Sequence, residues 1–391
     1  MKTKCLFPFG FQSLLSLLLV TLNTPVLAEV FESQSGPWGQ LEFYETVLEP
    51  PQHALWDDMF REEMHWKFRE RTVEEVRQLL VEFGASEEWI QALSERGNWF
   101  VGNNGIQLTP PHDLALSLEA APREELYRHI WFNGLRSDAI GIEAGSFLGI
   151  DRGAFAEKYA GFIDERTLSF DGKLYFPDSP LLLRQLSNPA EKHMMVRSLS
   201  RTRALMVRLK IDENSDLDEI ADYWSMGGAR RDVRPLLEGV RQAGNVDSID
   251  IVQLLPPTPR KHLNTYPQFR QTVHRSLPDC YWAAFNFFNH EPRDRMLDTM
   301  RPVEFHIDHG YTLLENGEPL RFGDLIGLYE NEGESIKHAW IYIADNIVFT
   351  KNGTGKVKPW MLMREEDMLS LYPTEGLHRK VLRPRLNRSD S

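Results

Sequence analysis

The sequence predicts an α+β protein, with a mainly helical N-terminal region and a C-terminal helix packed on an antiparallel sheet. Three observations carry that reading. Apolar residues recur at helical spacing through much of 53–250. After about 265, short β-branched and aromatic runs follow one another with turn residues between them. One helix-like segment, opened by Leu277-Pro278-Asp279-Cys280, precedes those runs. One helix followed by antiparallel strands is an α+β arrangement. The expected organisation is an export signal over 1–28, a mainly α-helical region over 29–260 and a C-terminal domain over 261–391.

The first segment reads as an export signal. Lys2 and Lys4 give a positive start, Leu14 to Val20 form a short apolar core, and Val26-Leu27-Ala28 is a small-residue cleavage site. The apolar core is shorter than the roughly 20 residues a bilayer span needs. Cys5 precedes that core, away from the cleavage point. The expected location is a bacterial periplasm or the cell exterior, with cleavage near Ala28. The whole chain carries a formal charge of −13, and losing Lys2 and Lys4 makes it more acidic. An acidic surface repels phosphate backbones and anionic lipids, so nucleic acid and membrane surfaces are poor partners.

The helical region is punctuated by local signals. Residues 29–52 form an irregular lead-in ending at Pro50-Pro51. Thr72 with Glu75 three residues later is a capping box, and Val76, Leu79, Leu80 and Phe83 follow on one face. Gly84 ends that helix and Ser86 opens the next. Further helices are expected over 122–132, 189–209, 217–224 and 231–242, with a hairpin over 168–176 turned by Asp171-Gly172. Leu255-Pro256-Pro257-Thr258-Pro259 reads as a linker. The plain reading of 53–250 is scaffold or a partner-binding surface.

The C-terminal strands are expected at 303–306, 311–314, 325–329, 338–343 and 347–351, with a helix over 364–371. Cys280 is the lone cysteine left once the signal is removed, and Asp279 is a good N-cap before it. Unpaired N–H groups and the helix dipole favour thiolate at a helix start. The plain alternative is a buried structural cysteine, which packs as a small hydrophobe. A thiol nucleophile needs a base, usually His. His290, His306, His309, His338 and His378 lie downstream, and His338 stands at the mouth of the apolar segment Ala339-Trp340-Ile341-Tyr342-Ile343. His306 and His309 lack a companion ligand set and read as surface or turn residues. If a hairpin is centred on Asp345, Asn352 lies opposite His338 and Thr350 lies diagonal to it. A two-residue turn would reverse that parity. The plain reading of Asn352-Gly353 is a turn.

The order Asp279-Cys280, then Phe322-Gly323-Asp324-Leu325-Ile326, then His338-Ala339-Trp340-Ile341-Tyr342-Ile343 resembles the NlpC/P60 family of papain-like cysteine peptidases, with the related CHAP amidases second. The resemblance covers roughly 265–375. Tyr281-Trp282 stand where the family has Ser-Gly, Phe322 where it has Pro, and Thr350 at its third polar position. The resemblance implies an exported thiol hydrolase that cleaves amide bonds, with peptidoglycan stem peptides as the family's main substrate. Cys280 would attack the carbonyl, His338 would move the proton, and Asn352 or Thr350 would hold the imidazole. Asp279 and Tyr281 would support the site. No metal or organic cofactor is implied. Two alternatives stay open. One is an acyltransferase or lipid-directed thiol enzyme on the same fold. The other is a non-catalytic exported binding or assembly protein, with a protein partner on the helical region.

Overall fold

Long-range antiparallel pairing brings residues 40–48 beside residues 202–210. The computed structural model describes residues 29–55, 57–132, 153–170, 173–226, 230–268, 277–293, 302–330, 335–353, 355–372 and 376–385. The expected export signal lies outside the described residues. Strand β1 (Val30–Glu32) pairs with β2 (Gln40–Leu48). The other neighbour of β2 is far along the chain, as described below.

Residues between Leu48 and Thr202 form a unit inserted after β2. It contains β3 (Trp66–Arg69), α1 (Val73–Glu82), α2 (Glu87–Arg96), β4 (Asn98–Gly102), β5 (Gly105–Thr109), α3 (His112–Ser117) and α4 (Ala120–Phe132). Then come α5 (Gly153–Glu157), α6 (Ala160–Glu165), β6 (Leu168–Phe170), β7 (Lys173–Tyr175), α7 (Ser179–Gln185) and α8 (Pro189–Leu199). The capping box is formed: Thr72 Oγ1 accepts from Glu75 N at 3.3 Å and Glu75 returns to Thr72 N at 2.7 Å. Ser86 caps α2 by accepting from Trp89 N. The hairpin β6–β7 forms as expected, its turn residues 171–172 lying outside the described residues. The sheet β3-β5-β4 was not legible as strands, so this unit is less purely helical than expected. Its cores, built around Trp66, Leu80 and Leu93 and around Phe176, Leu183 and Met195, are its own.

The return strand is β8 (Thr202–Lys210), antiparallel to β2 from Leu48↔Thr202 to Gln40↔Lys210. The expected helix over 189–209 therefore stops at Leu199. Leu205 and Leu209 suit helical spacing, but Val207, Leu209 and Ile211 alternate, and their buried faces fit the sheet. Helices α9 (Leu217–Trp224) and α10 (Arg230–Ala243) and strand β9 (Ser248–Asp250) follow, giving the order β1-β2-β8-β9.

A single core crosses the position where the boundary near 260 was expected. One core runs from Leu41 through Leu209, Ile220 and Leu255 to Phe285, Ile341 and Leu382. The Pro-rich segment is no linker: Leu255 and Thr258 are buried, and Pro257 opens α11 (Pro257–His262), where a missing N–H costs nothing.

The C-terminal part has α12 (Cys280–Phe285), α13 (Val303–Asp308), β10 (Tyr311–Leu313), β11 (Leu325–Glu330), β12 (Ser335–Ala344), β13 (Ile347–Lys351), β14 (Trp360–Arg364), α14 (Glu365–Leu369) and β15 (His378–Pro384). The expected strand at 303–306 is α13, because a short apolar run fits either element and Val303 and His306 bury at helical spacing. The sheet is antiparallel, in the order β10-β15-β11-β12-β13-β14. It is covered on both faces, which explains the nearly unbroken apolar runs of β11 to β13. Helix α12 lies on one face with Ala339, Ile341 and Phe349. Ile326, Trp340, Tyr342, Val348 and Met368 pack on the other. The chain is thus α+β, and among the described residues no helix is long and apolar enough to cross a membrane.

Gly323 shows how tightly the start of β11 is fitted. Its φ is +87°, and an added Cβ would sit 2.2 Å from the Phe288 ring. Gly323→Ala should therefore lower stability by about 1–3 kcal/mol, read from the urea midpoint. An unchanged midpoint would mean the segment can move off Phe288.

Candidate active site and the face of the sheet

Helix α12 is positioned by its cap and its apolar face. Asp279 Oδ1 accepts from Trp282 N at 2.8 Å, and Trp282, Ala283, Ala284 and Phe285 are buried. Cys280 is the first helical residue and is half-buried. Tyr281 points into the core instead of a pocket. Its ring lies 4.3 Å from Phe285, and its hydroxyl is 3.4 Å from His306 Nε2.

The thiol is not set up as a thiolate. Burial raises it, and the neighbouring Asp279 charge raises it further. The Ala339 N–H and Lys351 pull the other way, and the net position is about 12. Asp279 is itself raised by burial, against the Trp282 amide and Lys351. A dipole at a helix start is worth too little to offset these two terms at a short helix.

His338 is on the wrong side of the sheet for Cys280. It pairs with Leu328 and lies two residues from Trp340, so it shares the face of Leu328, Trp340 and Val348. Its ring stacks on Tyr372 at 3.9 Å and 19°, and Trp340 lies 5.7 Å away. Its Nε2 is 3.1 Å from Thr350 Oγ1. Ala339, one residue on, faces α12 instead. The expected Cys280–His338 pair is therefore corrected: β12 itself stands between the two groups, because successive strand residues point to opposite faces.

The third residue is corrected as well. The turn at Asp345-Asn346 has two residues, with Ala344 paired to Ile347. A bulge beyond Tyr342 then restores the register to Ile341↔Phe349, the parity expected of a hairpin centred on Asp345. Thr350 nevertheless holds the imidazole, and Asn352 is one step further, its Oδ1 3.5 Å from Thr350 Oγ1 and its Nδ2 3.1 Å from Met363 Sδ.

The residue that does accompany Cys280 is Lys351, the last residue of β13. It is 0 % exposed. Its odd position puts it on the α12 face with Phe349. Nζ donates to Gly353 O at 2.6 Å and Gly355 O at 3.2 Å, and lies 5.8 Å from the Trp360 ring centre. Burial brings its ammonium down to about 7, against the pull of Asp279 and Cys280 and with a smaller push from Lys358. Sequence reading missed it because strand parity depended on the bulge. A lysine closing an apolar strand was the available signal.

This carries a pH prediction. The folded value of Lys351 lies below its ordinary 10.5, so between about 7 and 10.5 the unfolded chain binds the extra proton. This group's contribution therefore grows with rising pH across that window, and the cost of its buried charge is greatest below 7. Lys351→Met should stabilise most at pH 6 and lose that advantage by pH 10, measured by thermal unfolding. A pH-independent difference would place the ammonium in water.

The other histidines are structural or peripheral. His306 is buried and stacks on Phe285 at 4.1 Å, which corrects its expected surface position. His309 is exposed and lies on Phe305. His290 and His378 are exposed. Among the described residues no three His, Cys, Asp or Glu side chains form a metal-binding group. Asp324 of the Gly-Asp-Leu segment is also structural: Arg383 grips it with two bonds, at 2.9 and 2.7 Å.

The opposite face opens into a cleft between β8 and β14. It encloses about 630 Å³ when its mouth is counted. Leu205, Met361, Met363 and Leu371 supply apolar wall, with Asn352 among the polar groups. The His338–Thr350–Asn352 chain therefore ends at this cleft and not at the thiol. No family model, no curated protein and no solved structure matches the chain.

Proposed function

We propose that this chain is an exported binding or assembly protein whose C-terminal sheet carries a thiol without a hydrolase's catalytic pair. The observation that carries the reading is the placement of His338 on the sheet face opposite Cys280. A general base must reach its proton within about 3 Å or through one water. A strand lies between these two groups, and the thiol is held up at about 12 by burial and Asp279. The resemblance to NlpC/P60 peptidases is then one of segment order, with Asp324 and His338 retained in packing roles. An exposed pair, Phe100 and Val101 on the edge strand β4, adds an apolar surface suited to assembly.

The test is iodoacetamide alkylation of Cys280 in the wild type and in His338→Ala. Slow reaction at the same rate in both supports the reading. Fast reaction that disappears in His338→Ala sinks it and restores the hydrolase.

One observation favours a second reading. A buried amine near 7 is suited to general-base work at neutral pH. If Lys351 swung from the Gly353 and Gly355 carbonyls to Sγ, it would take the thiol proton as Cys280 attacked an amide carbonyl and pass it to the leaving amine as the C–N bond broke, leaving an acyl-thioester that water hydrolyses to a carboxylic acid and the free thiol. Hydrolysis would then depend on Lys351 and not on His338. An acyl-thioester trapped on Cys280 in the wild type and absent in Lys351→Met would establish that reading.

A further inference from the structure

We propose that β4 is a docking edge for a second copy of this chain, paired antiparallel about a two-fold axis so that two three-stranded sheets become one. This rests on the assembly reading above and names its partner. Strand β4 is an outer strand of the sheet β3-β5-β4. Phe100 and Val101 are 66 % and 67 % exposed, the most exposed large apolar side chains among the described residues. An open edge invites a further strand, and proteins guard such edges with charges, prolines or bulges. The other edge, β3, has such guards in Lys67 and Arg69. Strand β4 has none. Residues 97–111 contain no charged side chain, although 26 % of the whole chain is charged.

The hairpin fixes which backbone groups β4 offers. Its turn has two residues, Asn103 and Asn104, flanked by the partners Gly102 and Gly105. A hydrogen-bonded pair closes such a turn, and bonded and non-bonded pairs alternate from there. Asn98, Phe100 and Gly102 therefore direct their N–H and C=O at β5, whereas Trp99 and Val101 direct theirs outward. Among the described residues no strand pairs with that outer side of β4.

One register uses all of the outward groups. With Phe100 opposite the second copy's Phe100, Trp99 lies opposite its Val101 and Val101 opposite its Trp99. Both of these pairs are then hydrogen-bonded. A one-residue shift sets outward groups against inward ones. A two-residue shift puts Trp99 or Val101 beyond the end of the other strand. The side chains agree with the same register. The two Phe100 residues form a non-bonded pair, where side chains approach most closely. On the other face Trp99 and Val101 make aromatic to β-branched pairs across the seam. That face continues the core of Trp66, Leu80 and Leu93, against which Trp99 already packs.

Charge selects a copy of this chain as the occupant. At a formal charge of −13, two copies repel over most of their surfaces. Contact is least costly where neither copy brings a charge, and a two-fold contact brings the same charge-free strand twice. The guarded edge β3 then stops the joined sheet from growing into a fibre. An edge of five residues buries less than the roughly 1,200–2,000 Å² of a stable interface, so the dimer is a reversible one.

The experiment is sedimentation velocity of the protein from about 1 μM to about 1 mM, which spans the affinities of reversible contacts. A monomer–dimer equilibrium is expected. Val101→Lys places a charge in each half of the seam and should weaken the dimer about 10-fold or more. Val101 is exposed, so thermal unfolding should not change. Cross-linking reads the register. In Phe100→Cys the two new thiols face each other with Cα atoms about 4.5 Å apart, within disulfide reach, so oxidised glutathione should link the dimer. In Asn98→Cys they stand four residues out of step, about 13 Å apart along the strands, and should stay unlinked. Cys280 is common to both variants and serves as the control. A monomer throughout, with normal thermal unfolding, overturns the proposal. So does a dimer that Val101→Lys leaves intact, growth into larger species, or a link at 98 in place of 100. The thiol measurement separates the two failures. A monomer with a slow thiol removes only this contact, whereas a fast His338-dependent thiol removes the assembly reading itself.

Discussion

Iodoacetamide at pH 8 will label Cys280 about 10³-fold more slowly than a free cysteine. A free thiol near 8.5 is roughly a quarter thiolate at that pH. A thiol held at about 12 holds on the order of 10⁻⁴ of its population as thiolate, since each pH unit below the pKa costs tenfold. The logarithm of the rate should rise linearly with pH through 10, with no plateau near neutrality. Two variants give the cause its sign. Asp279→Asn keeps a good N-cap and removes the negative charge that raises the thiol, so labelling should speed up. Lys351→Met should slow labelling below about pH 7, where the ammonium that lowers the thiol is charged, and change it little at pH 8. His338→Ala should change little, because its ring packs with Tyr372 on the far face. A plateau below pH 8 that vanished in His338→Ala would contradict the placement of His338 across β12.

What the sequence made legible follows from how local each signal is. The caps at Thr72, Ser86 and Asp279 were readable because a cap is decided within four residues. Strands β11, β12 and β13 were readable because burial on both faces writes itself as an apolar run. Strand β8 was not, because its partner β2 lies across the whole inserted unit and pairing overrode a helix-compatible pattern. The core that crosses the expected boundary near 260 has the same origin: prolines look like punctuation locally, whereas that core is built from Leu41 to Leu382. The candidate site failed on a single parity. Sequence order placed Cys280 and His338 together, but a one-residue step along β12 decides which face a side chain takes, and Ala339 took the face of α12. The bulges beside Leu328 and Tyr342 that set this parity leave no composition signal.

Asp178→Ala will unfold the inserted unit at markedly lower denaturant while leaving the C-terminal sheet in place. Asp178 is fully buried and accepts from the Tyr127 hydroxyl and from Arg166 Nη1, the latter at 2.7 Å. Arg166 is buried too, and its Nη2 donates to Leu116 O at 2.5 Å. Arg123 beside them donates to Glu165 O at 3.0 Å. The group joins α4, the end of α6, α3 and the start of α7, so it fixes how four short helices meet. Removing the carboxylate strands a guanidinium among apolar side chains, which costs about 3–5 kcal/mol. The pair itself is worth less than that, because both charges were taken out of water to form it. Arg166→Met with Asp178→Leu and Tyr127→Phe should therefore recover much of the loss, with the triple variant more stable than Asp178→Ala alone. Native-state hydrogen exchange reads both results. Amides of β3 and β5 should exchange about 10²–10³-fold faster in Asp178→Ala, while those of β12 and β13 stay protected, because the two parts have separate cores. Equal acceleration in β12 would mean that the inserted unit and the long core unfold as one. That outcome would make the β2–β8 pairing the seam through which instability in one passes to the other.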